Sequence, residues 1–214
     1  MRVRALLAVA LMVVAAVLVL DMSGRAPRLA GTDHTQSVAF VATMNSGQEL
    51  CQPDMVLPPD TGSIKLLIGT YGRPVPELIA RFVAQNGATV ASGRLAAGGG
   101  QGELSIPIGY RGADSQVGTL CLAEQGGEKL AIAGAPFPAG SASATVGGSR
   151  QPGRIALDYL RPGEESWWQL LPTLDTRFGL GKSTVFGSWT LPVAALLLVG
   201  VWAAVVRLLI RELV

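Results

Sequence analysis

The sequence predicts an all-β ectodomain, an antiparallel β-sandwich or jelly roll, flanked by an N-terminal and a C-terminal transmembrane helix. Three observations lead there. Between residues 35 and 161, short strand-like runs are separated by Gly, Pro, Asp and Ser. Several of those runs alternate apolar and polar side chains with period two, clearest at Leu104, Ile106 and Ile108 and at Ile155, Leu157 and Tyr159. The 214-residue chain is 49% hydrophobic and only 15% charged, with the apolar excess gathered at its two ends, a composition unlike that of an ordinary soluble domain.

The first element is the run "ALLAVALMVVAAVLVL" at 5–20, preceded by Arg2 and Arg4. A helix needs roughly 20 apolar residues to cross a bilayer, so segment 1–22 is expected to be a retained anchor. The alternative is a cleaved secretory signal, although no A-x-A site follows the apolar core closely. Residues 23–34 are expected to be a linker, and 35–163 the sandwich.

Its candidate strands are 35–44, 63–70, 77–85, 88–95, 102–108, 116–124, 129–135 and 154–161, eight short runs at the spacing of a two-sheet fold. Asn86-Gly87 marks a tight hairpin, because both residues tolerate positive φ. Pro107 places its strand at a sheet edge, since proline has no ladder hydrogen to donate. The small-residue segment 135–154 is a loop, or one weak strand flanked by loops.

After the sandwich, "SWWQLLPTLDTRFGLGKST" (166–184) forms most of a juxtamembrane amphipathic segment spanning 164–184. At helical spacing Trp167, Leu171, Leu174 and Phe178 share a face with Leu170 beside them, while Gln169, Thr173, Thr176 and Arg177 lie toward the other side. Trp167 and Trp168 favour the headgroup level of a bilayer, and the same face suits a docking protein equally well. Pro172 predicts a helix that begins there. The second apolar run, 189–206, extends into an expected span at 185–207, followed by a short tail at 208–214.

Charge sets the topology. Arginines flank each apolar run on the side away from the middle of the chain, which puts both termini in the cytoplasm and the central domain outside. Segment 21–184 holds thirteen Lys and Arg against fourteen Asp and Glu. The excess positive charge therefore lies in the terminal pieces and gives no reason to expect nucleic acid as a partner. Both cysteines, Cys51 and Cys121, fall in the exported part, where an even count favours one disulfide. The single histidine, His34, has no ligand partners nearby, so no metal or other cofactor is expected.

Catalytic chemistry finds little support. "GLGKST" fails as a phosphate-binding loop because the position five residues before Gly181 is Thr176 where glycine is needed. There is no G-x-S-x-G, and carboxylates such as Asp54, Asp60, Glu77 and Asp114 sit scattered in expected turns. Sugar binding needs aromatic rings with open faces. The only candidates in the sandwich are loop-borne: Tyr71 with Arg73, and Tyr110 with Arg111.

The segments "GQELCQ" (47–52), "LIGTYGRPVPEL" (68–78), "LCLAEQGG" (120–127) and "SWWQLLPTLDTRFGLGK" (166–182) resemble those of two-span envelope proteins of high-GC bacteria. Such proteins tend to accompany membrane glycosyltransferases, so the resemblance implies a place in surface-polysaccharide or cell-wall assembly. The expected function is a non-enzymatic accessory protein in the bacterial cell membrane, with the lipid bilayer, a membrane partner such as a glycosyltransferase, and a glycan as its contacts. The alternatives are an envelope sensor relaying through a membrane partner, and an exported hydrolase or transferase.

Overall fold

The computed structural model describes residues 2–137, 142–179 and 190–212. The chain forms two compact units, one of Pro27–Glu164 and one of Met1–Ala26 with Glu165–Val214. In the first, thirteen strands follow in order among the described residues: β1 (Leu29–Thr32), β2 (Ala39–Met44), β3 (Glu49–Leu57), β4 (Ser63–Gly69), β5 (Leu78–Ala84), β6 (Thr89–Leu95), β7 (Gly102–Pro107), β8 (Gln116–Glu124), β9 (Leu130–Pro136), β10 (Thr145–Val146), β11 (Ser149–Arg150), β12 (Gly153–Ile155) and β13 (Asp158–Leu160).

All strand pairs are antiparallel and make two sheets. One runs β1-β13-β4-β9-β12, with β2 on β9 and β7 on β4; the other runs β11-β10-β3-β8-β5-β6. Alternation buries one face of each sheet. In β8 the buried residues are Gly118, Leu120, Leu122 and Glu124, and in β4 they include Ile64, Leu66 and Ile68. Met44, Leu50, Leu57, Phe82, Ile132 and Tyr159 complete the centre of one continuous core. Each fully buried side chain of this size contributes about 1.5–3 kcal/mol by leaving water. The expected antiparallel β-sandwich is thus the fold of this unit.

Several local departures have physical reasons. β3 was not among the expected strands because Pro53 interrupts its pattern. The ladder with β8 shifts register between Gln52 and Met55, where Asp54 takes φ 54°. That bulge accommodates a proline that a regular ladder would exclude. β1 occupies what the sequence assigns to a linker. The run 154–161 is not one strand: β12 pairs with β9, then β13 pairs with β4. Pro107 does end an edge strand, since β7 pairs only with β4.

The Asn86-Gly87 hairpin is present, but with one positive φ, at Gly87 (83°). Its amide bonds the Ala84 carbonyl, and the ladder shifts between Phe82 and Val83, the pattern of a turn closed by a glycine bulge. Within the small-residue segment, β10 and β11 form a miniature hairpin. Its turn residues Gly147 and Gly148 both take positive φ.

The second unit contains α1 (Arg2–Ser23), α2 (Trp167–Gly179) and α3 (Thr190–Glu212). α2 begins five residues before Pro172, which lies inside it. The reason is a capping box. The Ser166 amide donates to Gln169 Oε1 at 2.8 Å and the Gln169 amide donates back to Ser166 Oγ at 3.4 Å. α3 continues through Glu212, so the expected tail at 208–214 is largely helical. Among the described residues, no helix is long and apolar enough to cross a membrane.

Candidate functional site: an aromatic groove on the sandwich

Two exposed aromatic rings flank a groove on the outer surface of the seven-stranded sheet. Its volume is about 370 Å³, and its lining includes Phe40, Leu67, Gly69, Tyr71, Gln101 and Ala131. Phe40 stands on β2 where the ladder with β9 shifts register between Phe40 and Ala42, and it remains 56% exposed. Its ring lies against Gly69 so closely that a Cβ at that position would come within 2.8 Å of the ring carbon Cζ. A side chain at position 69 would have to push the exposed ring aside. Ala131, paired with Gly69 in the ladder, adds a second small residue to the lining.

Tyr71 follows β4 in a tight turn. The Arg73 amide bonds the Thr70 carbonyl at 3.1 Å, while Tyr71 and Gly72 take φ 56° and 81°. A tyrosine in the left-handed region is costly, on the order of 1–3 kcal/mol, and such strain clusters at functional sites. The ring is 63% exposed and carries the Lys129 ammonium 5.3 Å from its centroid. Arg73, in the same turn, is ion-paired with Glu128. Gln101 Oε1 accepts the Thr70 amide at 3.4 Å, which commits that oxygen and leaves the carboxamide nitrogen as a donor.

The four residues expected to contact a glycan therefore separate. Tyr71 and Arg73 belong to the turn beside the groove. Tyr110 is buried, its hydroxyl donates to the Asp114 carbonyl at 2.7 Å, and its ring has no open face for a sugar. Arg111 is exposed but does not line the groove. Phe40 and Gln101 escaped sequence reasoning. Phe40 lies in a strand whose period two is broken by the bulge, and Gln101 lies within a glycine run that signals only a turn.

A second, smaller cavity of about 150 Å³ is lined by Thr35, Ser37, Lys65, Glu103 and Asp158, among others. Lys65 Nζ is 3.0 Å from Glu103 and 3.5 Å from Asp158. The hydrogen bond to Glu103, more than any other influence, raises the ammonium above its ordinary pKa. A lysine held charged between two carboxylates is a poor general base.

Cys51 and Cys121 form the expected disulfide, with Cα atoms 4.1 Å apart. They are directly opposite in the β3–β8 ladder and lie on the outward side, since their neighbours Leu50, Gln52, Leu120 and Leu122 are buried. Arg81 is the partner of Cys121 on β5 and is ion-paired with Glu49. Glu49 and the two sulfurs are the one grouping among the described residues close enough to hold a metal. The sulfurs are bonded to each other, however, and metal ligation needs thiolates.

In the helical unit, Trp167 and Trp168 are exposed and Leu170 is buried, while Leu171 and Leu174 are half-buried. The side chain of Phe178 lies outside the described residues. Trp168 Nε1 donates to Ser23 Oγ at 3.2 Å, fastening α2 to the end of α1. No protein-family model matches the chain, and no curated protein is significantly similar to it.

Proposed function

We propose that the chain is a non-enzymatic, membrane-anchored accessory protein of the bacterial cell envelope. Its sandwich is held outside the membrane and supports polysaccharide or cell-wall glycan assembly, through a membrane partner such as a glycosyltransferase and through binding of glycan itself. The observation that carries this reading is the bare apolar surface of the terminal helices. In α1 the consecutive residues Val17, Leu18, Val19 and Leu20 are all exposed, and in α3 so are Leu196, Leu197, Leu198 and Val199. Four consecutive residues cover a full helical turn, and a helix apolar on every side belongs in a nonpolar surrounding.

α1 and α3 have 22 and 23 residues, which at 1.5 Å rise makes each roughly 33 Å long. The Trp168–Ser23 hydrogen bond supports seating α2 at the outer end of α1, where indole rings favour the headgroup region.

The test is a topology reporter inserted in the loop near residue 100, together with alkaline carbonate extraction of membranes. Activity of a reporter that works only outside the cytoplasm, on protein retained in the pellet, is the expected result. A reporter active only in the cytosol, or release of the protein by carbonate, would overturn the proposal. Recovery of a glycosyltransferase with the intact protein from mild detergent tests the partner.

A further inference from the structure

We infer that the Phe40–Tyr71 groove is a subsite for one uncharged pyranose ring of an oligosaccharide. This rests on the reading of the sandwich as a glycan-handling module and assigns the residues that would do the work. A pyranose is a thick disc with apolar C–H faces and a rim of hydroxyls. The groove offers the matching surfaces. Gly69 and Ala131 keep part of its lining low, and the exposed Phe40 ring, backed by Gly69, supplies a flat apolar platform. Tyr71 supplies a second ring and a hydroxyl, Gln101 supplies an amide donor, and the Lys129 ammonium stands at the Tyr71 ring.

Charge and size narrow the ligand. Arg73 and Glu128 neutralise each other, and Lys129 is engaged with the aromatic face, so no cluster of cations awaits a uronate or phosphate. A volume of 370 Å³ lies near the lower end of ligand sites, enough for one ring with the rest of the chain running out over the surface. The Tyr71 backbone is the independent pointer. A tyrosine placed at φ 56° and left 63% exposed satisfies neither the backbone nor the core. A ligand that stacks on the ring accounts for a bulky side chain held at a strained backbone position.

That conflict supplies the test. The full chain in lipid nanodiscs is titrated with mannotriose, maltotriose and cellotriose, with trigalacturonate and a proline-rich decapeptide as comparison probes, by saturation-transfer NMR and calorimetry. At least one neutral trimer is expected to bind. Tyr71→Gly is expected to leave the sandwich folded, because glycine takes the positive φ without strain, yet to weaken binding about ten-fold or more, as Phe40→Ala should also do. Arg111→Ala should change neither.

Neutral-sugar binding that survives both groove variants would overturn the subsite while leaving glycan binding intact. Absence of neutral-sugar binding, or binding confined to the uronate or the peptide, would overturn the inference. The topology result is unaffected by either outcome, so the anchoring proposal stands or falls separately. Should Phe40→Ala fail to fold, Tyr71→Gly alone decides the matter.

Discussion

Tyr159 is 1% exposed in the core, and among the described residues its hydroxyl has no hydrogen-bond partner; neither does Asp33 Oδ2, also buried. Burial first, and then the nearby Asp33 charge, raises the Tyr159 phenol far above its ordinary pKa. Removing a hydroxyl that makes no bond forfeits nothing, so Tyr159→Phe should leave stability within about 1 kcal/mol of the parent or improve it, as read from a urea midpoint. Asp33 is the more informative partner. Its Oδ1 accepts the Thr35 and Leu157 amides at 3.0 and 3.4 Å, but desolvation outweighs these bonds and raises its pKa above 3.8. The folded state then binds the Asp33 proton more tightly than the unfolded chain does. This residue's contribution to stability is therefore greatest below the unfolded value and is lost as pH rises through the raised folded one. Asp33→Asn keeps the Oδ1 acceptor and removes the titration. The expected outcome is a urea midpoint that no longer shows that decline above pH 3.8 and is higher than the parent's at neutral pH. An unchanged pH profile would mean that Asp33 is solvated.

At the scale of elements, the β3–β8 pair shows what a disulfide adds to a ladder already complete. Seven residue pairs join these strands, and Cys51–Cys121 is one of them, on the outward side. The bond closes a sequence separation of 70 residues, which in the chain-entropy model stabilises by roughly 4 kcal/mol through the unfolded state. Reduction should therefore lower the urea midpoint while leaving the native far-UV spectrum, and a spectrum that collapses on reduction without denaturant would contradict it. The same pair shows which parts of the fold could be read in advance. β8 alternates cleanly and its bounds match the sequence pattern, whereas β3 hides behind Pro53, whose bulge depends on a partner strand that lies far along the chain. α2 fails differently. Pro172 is an ordinary start signal, but Ser166 and Gln169 form a capping box earlier, and that pattern was present in the sequence to be used. The groove was legible only in part. Tyr71 stands out as a loop aromatic, but the approach of Phe40 to Gly69 joins β2 and β4 through their common neighbour β9, a relation created by sheet topology.

At the scale of the whole molecule, the question is whether the sandwich needs the helices in order to exist. Every residue of its central apolar cluster, from Ala30 to Tyr159, lies within Pro27–Glu164. So do both cysteines and, among the described residues, every strand. The unit is large enough to bury a core of its own, and its two sheets cover each other's apolar faces. Residues 27–164 expressed alone into an oxidising compartment should therefore give a monomer with no free thiol and a single cooperative urea transition. That result would mean the folding free energy of the sandwich is supplied by its own residues. A fragment that stays unfolded with its disulfide formed would show the reverse. The terminal segments would then contribute to the folding of the sandwich.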